Sequence, residues 1–169
     1  MTDKAKGWVL VVIQFVLLAV VLLSSVYEFK YAGRALMPVV HYIGVTFILI
    51  GALLFTFILI SFGQYMTPNP VPRDNAVLKT TGIYSLVRHP MYFTVLVLLL
   101  GVILYFQAFY SLIWLVIAFL FLVYKSRREE EFLSKKFPDY PNYSYRTKRI
   151  IPFIYSQSLY SNLITYIII

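Results

Sequence analysis

The chain contains no cysteine, which excludes disulfides, thiolate metal sites and cysteine nucleophiles. Its two histidines, His41 and His89, are too few for a histidine-rich centre, so no metal is expected. Charge is scarce as well: 13% of the residues are charged and 60% are hydrophobic. No phosphate-binding glycine loop, dinucleotide glycine fingerprint or nucleophile elbow occurs. A cleavable leader is also not expected. The first apolar run, Trp8 to Tyr27, exceeds a signal peptide's apolar region, and no A-x-A-like cleavage site follows it.

What the chain does have is long apolar runs. With 169 residues and a mean hydropathy of +0.77, it reads as one all-α, multi-pass integral membrane domain. Trp8–Tyr27 is the first span, with an amphipathic ring at each end. Pro38 is tolerated in the first turn of a second, Val39–Phe62. Gly44 and Gly51 there either let a neighbouring helix approach closely or reflect ordinary glycine use in membrane helices. Met91 to Tyr124 is uncharged for 34 residues, too long for one span and short for two. A break at Gln107 predicts a tight helical hairpin, 91–106 and 108–124, whose two helices should pack together first. The total is four spans. Residues 153–169 form a further apolar helix with a neutral polar face, either lying on the membrane or crossing it as a fifth span.

The polar connections carry the information about function. In 63–90, the run Thr67-Pro68-Asn69-Pro70-Val71-Pro72 cannot be helical, because each proline removes a donor and pushes its predecessor to extended geometry. It should cross the membrane surface as a strap. Gly82 permits a turn back towards the bilayer. The other polar segment, 125–152, should form a cap. Thirteen of the fifteen Lys and Arg residues fall on the side holding these two segments, leaving only Lys30 and Arg34 opposite. The positive-inside rule makes that side cytosolic. The net charge of +8 is thereby accounted for by topology and anionic lipid, with no nucleic acid partner.

Three groups of residues could carry chemistry. Pro90 falls where a helix begins, so the free N–H groups of that first turn would point at whatever lies beside His89. Arg88 either adds a cation to an anion site there or snorkels to lipid head groups. His89 is a base, or simply a capping residue. Glu129-Glu130-Glu131 sits on the extension of the fourth helix, with Lys125–Glu129 and Arg127–Glu131 at i,i+4 spacing. These acids form a solvated face unless one turns inward to bind hydroxyls or a cation. The tyrosines of Phe137-Pro138-Asp139-Tyr140-Pro141-Asn142-Tyr143 suit stacking on a planar base, or the membrane interface.

These residues resemble the isoprenylcysteine carboxyl methyltransferase-like family, itself similar to the phospholipid methyltransferases. The matching text is Thr67-Pro68-x-Pro70, Leu78-x-x-x-Gly82-x-Tyr84-x-x-x-Arg88-His89-Pro90-x-Tyr92, then Glu129-Glu130-x-x-Leu133, Phe137, Tyr140-x-x-Tyr143 and Arg149-x-x-Pro152. The resemblance runs from about Phe62 to Pro152 and implies S-adenosyl-L-methionine as cofactor, bound in a cytosolic pocket. The lipophilic or lipidated acceptor would arrive from the bilayer. It implies that Leu78, Lys79, Tyr84, His89, Pro90, Met91, Tyr92 and Glu129 line the cofactor site, with Glu130, Tyr140 and Tyr143 beside them. Arg88 and Glu129 would be the catalytic pair. Arg88 would orient the acceptor's nucleophile, and Lys125 stands where an arginine is associated with substrate binding.

Two departures concern the acceptor. Thr94 replaces a glycine common in the family, which implies altered helix packing near the substrate entrance. Pro138 replaces another in a segment one residue short, which implies a reshaped cap. The expected function is methyl transfer from S-adenosyl-L-methionine to a membrane-partitioned acceptor, such as an isoprenylcysteine-like carboxylate or another small lipid. The alternatives are an NADPH-dependent membrane reductase of the sterol-reductase type and a non-catalytic membrane binding protein.

Overall fold

A backbone in hydrocarbon must satisfy its own N–H and C=O groups, so the long apolar runs fold as helices. The computed structural model describes residues 2–31, 37–62 and 67–152. The order is α1 (Asp3–Tyr31), α2 (Pro38–Phe62), α3 (Pro90–Phe106), α4 (Leu112–Lys136) and a short α5 (Tyr140–Arg146). Among the described residues there is no strand, only one isolated parallel bridge between Val87 and Lys148. The helices α1, α2 and α4 are long and apolar enough to cross a membrane. The shorter α3 has 17 residues, about 26 Å at 1.5 Å per residue, the lower limit of spanning length. The expected helix at 153–169 lies outside the described residues.

Helix ends follow local chemistry. Asp3 in the first turn of α1 and Lys30 in its last complement the helix dipole. Pro90 stands at the first position of α3, and Gln107 ends that helix in the left-handed region at φ 53°. A 3-10 turn over Phe109–Ser111 follows, so α4 starts at Leu112 rather than near 108.

The centre of the bundle is α3, with α2 on one side and α1 and α4 on the other. The hairpin does not pack on itself first, as its sequence suggested: α3 packs most extensively against α2. The reason is close backbone approach. A Cβ on Gly44 would stand 2.3 Å from the Tyr105 backbone nitrogen, and one on Gly101 would stand 2.8 Å from that of Ile48. On the other side, Val21, Leu99, Ile103 and Ala118 form the buried core joining α1, α3 and α4. Helices α1 and α2 barely meet each other, and both pack on α3. Large apolar side chains such as Leu53 and Ile60 face outward, as lipid contact requires.

Two polar side chains fasten the end away from the charged segments. The Gln107 amide donates to the Met37 carbonyl (3.0 Å) and accepts from the Met37 N–H (2.9 Å). Glu28 accepts from the N–H of Tyr110 and from both the N–H and the hydroxyl of Ser111. These bonds join α1 and α2 to the α3–α4 turn.

Candidate functional site

At the other end of the bundle a cavity of about 510 Å³ lies between the proline strap, the start of α3, the end of α4 and α5. Leu78, Lys79, Tyr84, Arg88, His89, Pro90, Met91, Tyr92, Lys125, Glu129, Tyr140 and Tyr143 all line it. Residues taken from three separate stretches of the sequence therefore meet around one space. Glu130 is not on the wall; it stands behind Arg88 and His89.

The approach to α3 is built by two devices. Gly82, at φ 64° and with no atom within 4 Å of where a Cβ would stand, is there for its backbone freedom rather than for space. It starts a 3-10 turn over Gly82–Ser85 that buries Tyr84, whose carbonyl accepts from the Tyr143 hydroxyl at 2.6 Å. The chain then pairs with the segment after α5. The Arg88 N–H donates to the Lys148 carbonyl (2.8 Å) and the His89 N–H to that of Arg149 (2.9 Å).

Arg88 is 5% exposed and ties several elements together. Its Nη1 donates to the carbonyls of Ser144 (2.6 Å) and Thr147 (2.5 Å), closing the C-terminal end of α5. Its Nε donates to Glu130 (2.8 Å). Arg149 reaches the same carboxylate through Nη2 at 2.9 Å, and His89 Nε2 lies 3.1 Å from it. One largely covered acid therefore holds three basic groups from two segments. Among the described residues, Arg88 Nη2 and the Tyr140 hydroxyl are buried without a hydrogen-bond partner, an expensive state for donors beside a cavity.

The cavity's own negative group is Glu129, which accepts from the Tyr92 hydroxyl (2.9 Å) and lies 3.4 Å from His89 Nδ1. Burial alone lowers the His89 imidazole, but the charge of Glu129 and the hydrogen bonds with both acids override it and raise it to about 9. His89 is thus an imidazolium at neutral pH, stacked on Tyr92, and has no lone pair to act as a base. Burial also pushes up the phenols, Tyr143 to about 12 and Tyr84 and Tyr140 further, so these tyrosines are neutral donors.

The strap is latched on several sides. The Asn69 amide donates to the Lys4 carbonyl (3.0 Å), and a Cβ on Gly7 would stand only 2.2 Å from the Asn69 side-chain oxygen. Lys79 Nζ donates to the Ser61 carbonyl at 2.8 Å, and Lys136 Nζ to the carbonyls of Arg73 and Asp74.

Several expected contacts are replaced by others. Lys125 does not make an ion pair with Glu129 but donates to the Gln14 side-chain oxygen (2.5 Å) and the Pro68 carbonyl (2.7 Å). It is fully buried, so its charge ties α1 and the strap to α4 at the cavity wall. Glu131 pairs with Arg128 at 2.9 Å instead of Arg127, on the exposed face. Thr94 is buried and its hydroxyl donates back to the Met91 carbonyl (2.9 Å). It is not on the cavity wall, and its hydroxyl is satisfied locally, as that of a threonine in a helix can be.

A family model for phospholipid methyltransferases matches residues 39–140. The chain belongs to that family. The match runs from α2 into α5 and includes the strap, the start of α3 and both inward glutamates. Membership makes the protein a membrane methyltransferase, with a bundle of apolar helices to match. Neither the curated proteins nor the solved structures contain a match to the chain.

The part of the cavity that sequence reasoning missed comes from generic spans. Phe15 and Leu18 of α1, Phe55 and Leu59 of α2, and Val95 of α3 line its membrane end, where apolar residues are indistinguishable from lipid-facing ones. Gln14 also lines it and did carry a signal: it is the only amide in the run Trp8–Tyr27, where an unpaired polar group is costly. Arg73, Ala76 and Val77, with Thr67, Pro68, Asn69, Pro70, Pro72, Leu133 and Phe137 from motifs that were given no site role, complete the missed set.

Proposed function

We propose that the protein transfers a methyl group from S-adenosyl-L-methionine to a lipophilic acceptor drawn from the membrane, at a site facing the cytosol. The observation that carries this reading is the two-ended cavity. One end gathers Glu129, His89, Arg88 and the tyrosines; the other is apolar and is lined by residues of both α1 and α2.

The residues fit the cofactor. Glu129 is a carboxylate on the cavity wall suited to a sulfonium, an ammonium or ribose hydroxyls. The Tyr140 hydroxyl, which has no hydrogen-bond partner among the described residues, is a donor suited to a carboxylate. Tyr84, Phe137 and Tyr143 offer rings to a planar base. Bound there, S-adenosyl-L-methionine supplies an electrophilic methyl group for in-line displacement. Such a reaction needs alignment and exclusion of water more than proton transfer. The latched strap and α5 form walls of the cavity, and Arg88, fixed by Glu130 and two carbonyls, keeps Nη2 for orienting the acceptor.

The acceptor reaches this centre between α1 and α2, whose cavity-lining residues Phe15 and Leu59 are well exposed. The cytosolic orientation rests on charge: thirteen of fifteen Lys and Arg residues lie on the side of the cavity. Binding of labelled S-adenosyl-L-methionine in competition with NADPH tests the reading. Saturable binding of the first, undiminished by NADPH, is expected; preferential NADPH binding overturns it in favour of a reductase.

A further inference from the structure

Gln14 is a side-chain amide at the membrane end of the cavity, in α1, outside the stretch that matches the family. Its environment fixes its orientation. An ammonium can only donate, so the Lys125 contact of 2.5 Å must be to the amide oxygen. The amide NH₂ is then directed away from Lys125. It has no hydrogen-bond partner among the described residues, while the neighbouring walls at this end, Phe15, Leu18, Phe55, Leu59 and Val95, are apolar. Lys125 is fully buried and is held in turn by the Pro68 carbonyl, so the amide has a rigid support.

We propose that the Gln14 amide NH₂ recognises the acceptor, by donating to a carbonyl oxygen next to the point where the acceptor's apolar chain meets its head. This deepens the proposed function, on which it rests for the entry of the acceptor into the cavity. An apolar wall cannot distinguish an acceptor with a carbonyl at that point from one without it; a fixed donor can, because a substrate lacking the oxygen leaves that donor unpaired. Two lipid chemistries offer such an oxygen, the ester of a glycerolipid and the amide of an acylated, prenylated cysteine. Lys125 is a positioning residue here: it acts through Gln14.

The test compares paired probes on the full purified chain: ester-linked against ether-linked phosphatidylethanolamine, and N-acetyl-S-farnesylcysteine against its analogue without the amide. Retention of each probe is read by native mass spectrometry, which requires no turnover. The wild type should favour the carbonyl-bearing member of one pair by roughly tenfold, and the pair that discriminates identifies the source. Gln14→Glu keeps an acceptor for Lys125 but loses the donor, so it should retain the fold and lose the preference. Gln14→Leu should lose it too. Equal preference in wild type and Gln14→Glu, or no preference in either pair, overturns the proposal. Binding of labelled S-adenosyl-L-methionine is measured on the same samples. Loss of that binding with carbonyl preference intact would contradict the proposed function and leave the Gln14 site standing.

Discussion

Arg88 and Glu130 are 42 positions apart in sequence and are joined by a 2.8 Å bond between Nε and a carboxylate oxygen, with the arginine side chain 1% exposed. Glu130 is also the counter-charge for His89 and Arg149, so one carboxylate aligns the start of α3 with the segment after α5. Glu130→Gln leaves a buried guanidinium without its charge partner, and removing one member of such a pair costs about 3–5 kcal/mol. Thermal unfolding in detergent should show a large drop in Tm. Glu131→Gln removes an exposed pair with Arg128 and should cost about 1 kcal/mol or less. Equal effects of the two substitutions would contradict the hub role of Glu130.

His89 gives the protein a pH dependence. In the folded chain its imidazolium faces Glu129 and Glu130 and stacks on Tyr92, and its value is raised to about 9 from about 6.5 in an unfolded chain. A raised value means the protonated form stabilises the fold. That contribution is complete below about pH 6.5 and is lost as pH rises through about 9. Tm should therefore fall between these limits in the wild type. In His89→Gln the fall should be shallower, and an unchanged slope would show that other groups set it.

The α2–α3 contact is the place where added volume should do most harm. Gly44→Ala places a methyl 2.3 Å from the Tyr105 backbone nitrogen, and backbone cannot give way as a flexible side chain does. A loss of about 1–3 kcal/mol is expected, read as a lower Tm. Gly82→Ala meets no atom within 4 Å but sits at φ 64°, so its smaller cost, about 1 kcal/mol, is strain in the turn alone.

These outcomes mark how far the sequence could be read. The helices were legible because uncharged runs of spanning length have one solution in lipid. The meeting of Tyr84, Arg88–Tyr92 and Glu129 was legible through a resemblance to a family pattern, not through spacing. The division of labour between adjacent acids was not. Glu129 and Glu130 differ only by a turn of about 100° on one helix, yet one faces the cavity and the other binds the bases behind it. Nor was the tie of Lys125 to Gln14, which spans 111 positions and depends on how α1 sits against α4. Apolar residues lining the membrane end could not be singled out, since lipid and a lipophilic ligand demand the same side chains.

The most direct test of the central claim is incubation of the purified protein with methyl-labelled S-adenosyl-L-methionine and a membrane lipid extract, followed by identification of labelled lipid. The account predicts label in a lipophilic product, reduced at least tenfold in Glu129→Gln, whose fold should survive because Arg88 and Arg149 are held by Glu130 and not by Glu129. No labelled product from folded wild-type protein that binds the cofactor, or undiminished labelling by Glu129→Gln, would contradict it.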